Sequence, residues 1–119
     1  MSQAESSQPQ AWAKIRRSQR LALSVAVIVY REPQQGSPFH EGTHTLVVNA
    51  HGALISLTAK VAPQQTLMLK HSHGGEEKAC RVVFTRKKMA GPTEVGIEFL
   101  SPSPKFWRIA FPPADWPAA

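Results

Sequence analysis

A single cysteine, Cys80, rules out an intramolecular disulfide within these 119 residues and any metal site built on several thiolates. Its setting, Ala79-Cys80-Arg81-Val82-Val83-Phe84, is apolar and strand-like, so Cys80 is expected to pack in a core. A reactive thiol needs a more electropositive and partly exposed surrounding. Long apolar runs are also missing: the longest, Leu21 to Tyr30, is far shorter than the ~20 residues with which a helix crosses a bilayer. Met1 to Gln10 is polar and lacks the basic region and apolar core of a secretory leader, which makes the cytoplasm the expected compartment. Acids are scarce. Eight Asp and Glu stand against 14 Lys and Arg, and the formal charge of +6 favours anionic partners by long-range attraction.

Motifs of catalysis are absent as well. There is no nucleophile elbow, no Walker loop and no evident pair of acids to divide general acid and base work, so binding rather than enzymatic turnover is expected. His71-Ser72-His73 offers two imidazoles, but no further cysteine or acid stands at a metal-ligand spacing, and no metal or other cofactor is expected.

What the chain does contain is the makings of one small domain. Its length suits a single core, and 42% hydrophobic with 18% charged residues is an ordinary globular composition. Residues 1–13, rich in Ser and Gln, read as a flexible arm in which Trp12 is an isolated aromatic, and residues 14–119 read as the domain. Leu21, Leu23, Val25 and Val27 alternate with Ala22, Ser24 and Ala26, the period of a strand with one buried face, which predicts a first strand over Leu21 to Tyr30. Further strands are predicted over Thr43 to Asn49, Ala53 to Thr58, Thr66 to Lys70, Lys78 to Arg86 and Glu94 to Leu100. Gly- and Pro-containing turns separate them, among them Glu32 to Pro38, Asn49 to Gly52 and a connection centred on Gly74-Gly75. At Asn49 to Gly52 the tolerance of Asn and Gly for left-handed angles explains the turn. Ser103 followed by Pro104 predicts a short C-terminal helix, and Phe106, Trp107, Ile109 and Phe111 are expected to plug one end of the domain, with Trp116 packing back. The expected fold is all-β: about six antiparallel strands closed into a barrel, plus that helix.

Two segments carry the functional reading. Arg16-Arg17-Ser18-Gln19-Arg20 stands directly before the first strand, and Val47-Val48-Asn49-Ala50-His51-Gly52 stands where the second strand turns into the third. A basic R-x-x-x-R arm, two strands, a glycine turn, a third strand and a closing Val95-Gly96-Ile97-Glu98-Phe99 together resemble the PilZ domain family, bacterial receptors for cyclic di-GMP, over Lys14 to Phe99. The resemblance implies that Arg16 and Arg20 are the arm's ligand-binding pair, with Arg17 as an auxiliary phosphate contact. It also implies that Gly52 is the glycine of the family's second motif, D/N-x-S-x-x-G. In that motif Val47 stands in the acid or amide place and Asn49 in the serine place.

The chemistry agrees with that assignment. A cyclic dinucleotide presents two phosphate charges and two guanines, and arginine's planar fork both pairs with phosphate oxygens and reaches guanine O6 and N7. Asn49 can donate and accept through its amide, His51 can stack on or bond to a base, and Val47 can do neither. Loss of one charge-assisted hydrogen bond costs roughly 1.5–3 kcal/mol, or about tenfold to a hundredfold in affinity, so weak to moderate binding is expected. The expected partners are cyclic di-GMP and an unidentified protein, with the domain a monomer or weak dimer. A ligand-independent protein-interaction adaptor is the alternative that Val47 and Asn49 motivate. Nucleic acid is not an expected partner, because the basic residues are not interleaved with aromatics on adjacent strands.

Overall fold

The computed structural model describes residues 19–103, 105–109, 113 and 116. Six strands account for most of them: β1 (Ala26–Arg31), β2 (Phe39–Asn49), β3 (Gly52–Leu57), β4 (Thr66–His71), β5 (Glu77–Arg86) and β6 (Thr93–Phe99). All neighbours are antiparallel and the sheet closes on itself in the order β1-β2-β3-β6-β5-β4, with β4 returning to β1. Closure gives every described strand a neighbour on both sides, so among the described residues the sheet has no free edge strand.

The alternation read in the sequence is the alternation of the barrel wall. Val27 and Val29 on β1, Ile55 and Leu57 on β3, Leu67 and Leu69 on β4, Cys80 and Val82 on β5, and Val95 and Ile97 on β6 are all buried in one core cluster. Each fully buried aliphatic side chain contributes about 1.5–3 kcal/mol, which makes this interior the main source of stability.

The first strand begins later than its periodicity suggests. Leu21 makes an isolated bridge to Val48, with reciprocal backbone bonds of 2.8 and 2.9 Å, and the regular ladder starts only at Ala26. Between them the hydroxyl of Thr45 takes over the ladder's work, donating to the Leu23 carbonyl at 2.5 Å and accepting from the Val25 N–H at 2.9 Å. A bulge in β2 between Thr45 and Val47 sets that geometry.

The expected C-terminal helix does not form among the described residues. Lys105 to Trp107 make tight turns instead, with Phe106 N–H donating to Ser103 and Arg108 N–H to Lys105. The large rings decide this: Phe106 and Trp107 are both buried against Phe99, and a regular helix would carry rings one residue apart away from a common target. The one helical element described is a 3-10 turn at Pro33–Gln35.

Each mouth of the barrel is closed by a polar residue that continues an inward-facing series. At one mouth His71 follows Leu67 and Leu69, donates from Nε2 to the Phe106 carbonyl at 2.6 Å, and stacks on the Phe106 ring at 4.5 Å. At the other, Arg31 follows Val27 and Val29. Its guanidinium donates to Ser37 O at 2.6 Å, Gln65 Oε1 at 2.9 Å and Lys60 O at 3.3 Å, and lies 5.0 Å from the Phe39 ring centre. A buried cation satisfied by carbonyls and a π face ties the β1–β2 and β3–β4 connections together.

Candidate functional site

The mouth that holds His71 also gathers the segments singled out in the sequence. The β2–β3 turn at Asn49 to Gly52 lies there, the chain enters β1 there, and the C-terminal aromatics cover it. Asn49 is buried, and its Oδ1 accepts from the backbone N–H of His51 at 2.8 Å and of Gly52 at 2.9 Å. This Asx-type arrangement shapes the turn with a side-chain acceptor. The Asn49 carbonyl accepts from Trp107 Nε1 at 2.8 Å, the Ala50 carbonyl from Ser103 N–H at 3.2 Å, and the His51 carbonyl from Phe99 N–H at 2.7 Å. The turn is thus bonded to the C-terminal segment along its length.

Gly52 has a different reason from the one expected. Its backbone is not in the left-handed region; the constraint is that a Cβ there would lie 2.0 Å from the carbonyl oxygen of Ile97. Glycine is required for the approach of β3 to β6, where Gly52 pairs with Glu98.

Of the arm, Arg20 is half-buried and Arg16 and Arg17 lie outside the described residues, as does Trp12. The Leu21–Val48 bridge sets the residue after Arg20 against the residue before Asn49, and Trp116 Nε1 donates to the Gln19 carbonyl at 2.8 Å. Arg20, Asn49, His51 and Gly52 therefore share one neighbourhood. His51 is half-buried, Val47 is half-buried, and His44 is exposed opposite Ala26 on the β1–β2 ladder.

Sequence reasoning missed an acid beside this neighbourhood. Glu98 is buried, and its Oε1 accepts from Arg81 Nη2 at 3.2 Å across the β5–β6 ladder. Because Glu98 is also the register partner of Gly52, a carboxylate and its paired arginine border the turn. Arg81 is thereby tied to a defined partner on the neighbouring strand. Only the strand register reveals it, since Gly52, Arg81 and Glu98 are distant in sequence.

Among the described residues no group of three or more His, Cys, Asp or Glu is placed to hold a metal ion, and no helix is long and apolar enough to cross a membrane. His71 is used by Phe106, as described above. Compared with known proteins, the chain matches no family model. Nor does any curated protein match it significantly.

Proposed function

We propose that this barrel is a binding domain of the PilZ type that takes up cyclic di-GMP and changes the conformation of its arm, and so its surface, to regulate a protein partner. The observation that supports the reading most is the Leu21–Val48 bridge, because it ties the base of the arginine arm to the strand that runs into Asn49 and Gly52. In this proposal Arg16 and Arg20 grip phosphate and guanine, Arg17 adds a phosphate contact, and His51 borders the base. Arg81, paired with Glu98, balances the acid that would otherwise repel an anion at this edge. The domain is proposed to act in the cytoplasm and without catalysis.

Calorimetric titration of cyclic di-GMP into the wild type and an Arg16→Ala/Arg20→Ala variant tests it. A saturable heat in the wild type that is lost in the variant is the expected result. No heat in the wild type removes the ligand, and equal heats remove the arm.

The second reading is a ligand-independent adaptor that presents the same arm and turn to a protein. It is favoured by the commitment of Asn49 Oδ1 to two backbone N–H groups and by the apolar Val47. Under this reading, Val47→Asp combined with Asn49→Ser creates binding of cyclic di-GMP where the wild type has none.

A further inference from the structure

The barrel's second mouth holds a cavity remote from the Asn49 turn. Residues 58–65 leave β3, which lies between β2 and β6, and enter β4, which lies between β1 and β5, so this connection must pass across the end of the barrel. A space of about 320 Å³ lies between it and the β5–β6 hairpin, lined by Thr58, Lys60, Thr85, Lys87 and Thr93 among others. We propose that this cavity is a second site, for a small phosphorylated ligand.

Charge is the first reason. Two acids at this mouth have fixed partners: Glu41 accepts from the N–H groups of Thr58 and Ala59 at 2.8 and 3.0 Å, and Glu94 pairs with Arg86 at 2.6 Å and Lys88 at 3.5 Å. Among the described residues no acid pairs with Lys60 or Lys87, and these two lining lysines, together with Arg86 and Lys88, outnumber the Glu32, Glu41 and Glu94 carboxylates at this mouth. Lysine acts on phosphate as a strong point charge, and the three threonine hydroxyls supply the donors that distinguish a bound oxyanion from a passing counterion.

Preorganisation is the second. The crossing connection is clamped before any ligand arrives: Glu41 holds its start, Arg31 holds Lys60 O and Gln65 Oε1, and β5 holds its end through Gln64 N–H to Val82 O and Val82 N–H to Gln65 O, both 2.8 Å. Binding there orders little chain, which removes a usual cost of association. The volume lies at the lower end of the roughly 300–1,000 Å³ typical of ligand clefts, which selects a small molecule over a macromolecular surface.

Backbone amide shifts of the full chain, titrated with inorganic phosphate and with pyrophosphate, test the proposal. Saturable shifts at Thr58, Lys60, Thr85, Lys87 and Thr93, larger and tighter for pyrophosphate, are expected. Lys60→Gln/Lys87→Gln should weaken them about tenfold or more while leaving the remaining amides at their native positions. Shifts that never saturate, that spread over the cations of the whole surface, or that persist unchanged in the double variant overturn it. Cyclic di-GMP binding at the opposite mouth is read from different amides, so the two proposals stand or fall separately.

Discussion

Replacing Gly52 by alanine tests whether this glycine belongs to the fold or to a ligand. The added Cβ would lie 2.0 Å from Ile97 O, 2.9 Å from Ile97 C and 3.0 Å from Glu98 Cα, all of them backbone atoms at the end of the β3–β6 ladder where Gly52 pairs with Glu98. Non-bonded carbon atoms settle about 3.5 Å or more from their neighbours, so β3 and β6 would have to part by roughly 1 Å or more at this point. Overpacking of this kind costs about 1–3 kcal/mol, and a weakened ladder bond adds about 1 kcal/mol, for a total near 2–4 kcal/mol. For a domain of this size that is a fall in Tm on the order of 10 °C, visible by calorimetry or circular dichroism with no ligand present. Gly42→Ala is the matched control, because it too lies in a strand but a Cβ there meets nothing within 4 Å. It should be neutral or slightly stabilising, by about 0.5–1 kcal/mol at most. Should Gly52→Ala melt with the wild type, the close-approach reasoning is wrong and the glycine must be explained by what binds over it.

Three other perturbations follow from the same contacts. Asn49→Ala removes the acceptor of two backbone N–H groups in a buried turn and should destabilise by about 2–4 kcal/mol in urea unfolding, whereas Asn49→Asp, which keeps the acceptor oxygen, should be milder. Cys80 is buried in the core, and desolvation pushes its thiol well above the ordinary range, so Ellman's reagent should fail to label native protein over minutes yet label it at once in denaturant. Glu94 is held below its ordinary value of 4.5, chiefly by the Arg86 hydrogen bond, so on acidification the unfolded chain takes up this proton before the folded one. Its contribution is therefore complete above about pH 4.5 and fades as the pH falls through the lower folded value; in Glu94→Gln that part of the acid dependence of Tm should disappear.

Much of the wall was legible because burial in a barrel follows a period of two. Thr66 to Lys70 and Lys78 to Arg86 each lie within one residue of the observed β4 and β5, since strand residues advertise which face is buried and Gly74-Gly75 marks the break between them. The apolar plug was legible for a similar reason, burial being the simplest use of such side chains in a proline-rich tail: Phe106, Trp107 and the returning Trp116 are in the core and Ile109 packs against it, while Phe111 lies outside the described residues. The helix predicted around them was not, because the capping pair Ser103-Pro104 is a local preference and the packing of two adjacent rings against Phe99 outweighs it.

By itself, then, the sequence determined a chain of half-buried strands, their breaks, the apolar interior and a basic arm leading into the first of them. Tertiary structure alone decided which strands became neighbours: β4 closing on β1, β3 meeting β6, and Gly52 lying against Glu98. That pairing buried Glu98 beside Arg81, turned Gly52 from a flexible turn residue into a point of close approach, and stretched residues 58–65 over a mouth bolted by Arg31. The division has a physical cause. Periodicity reports the environment of each residue along its own strand, whereas contacts between strands arise from the closing geometry of the whole sheet, to which no short stretch of sequence is sensitive.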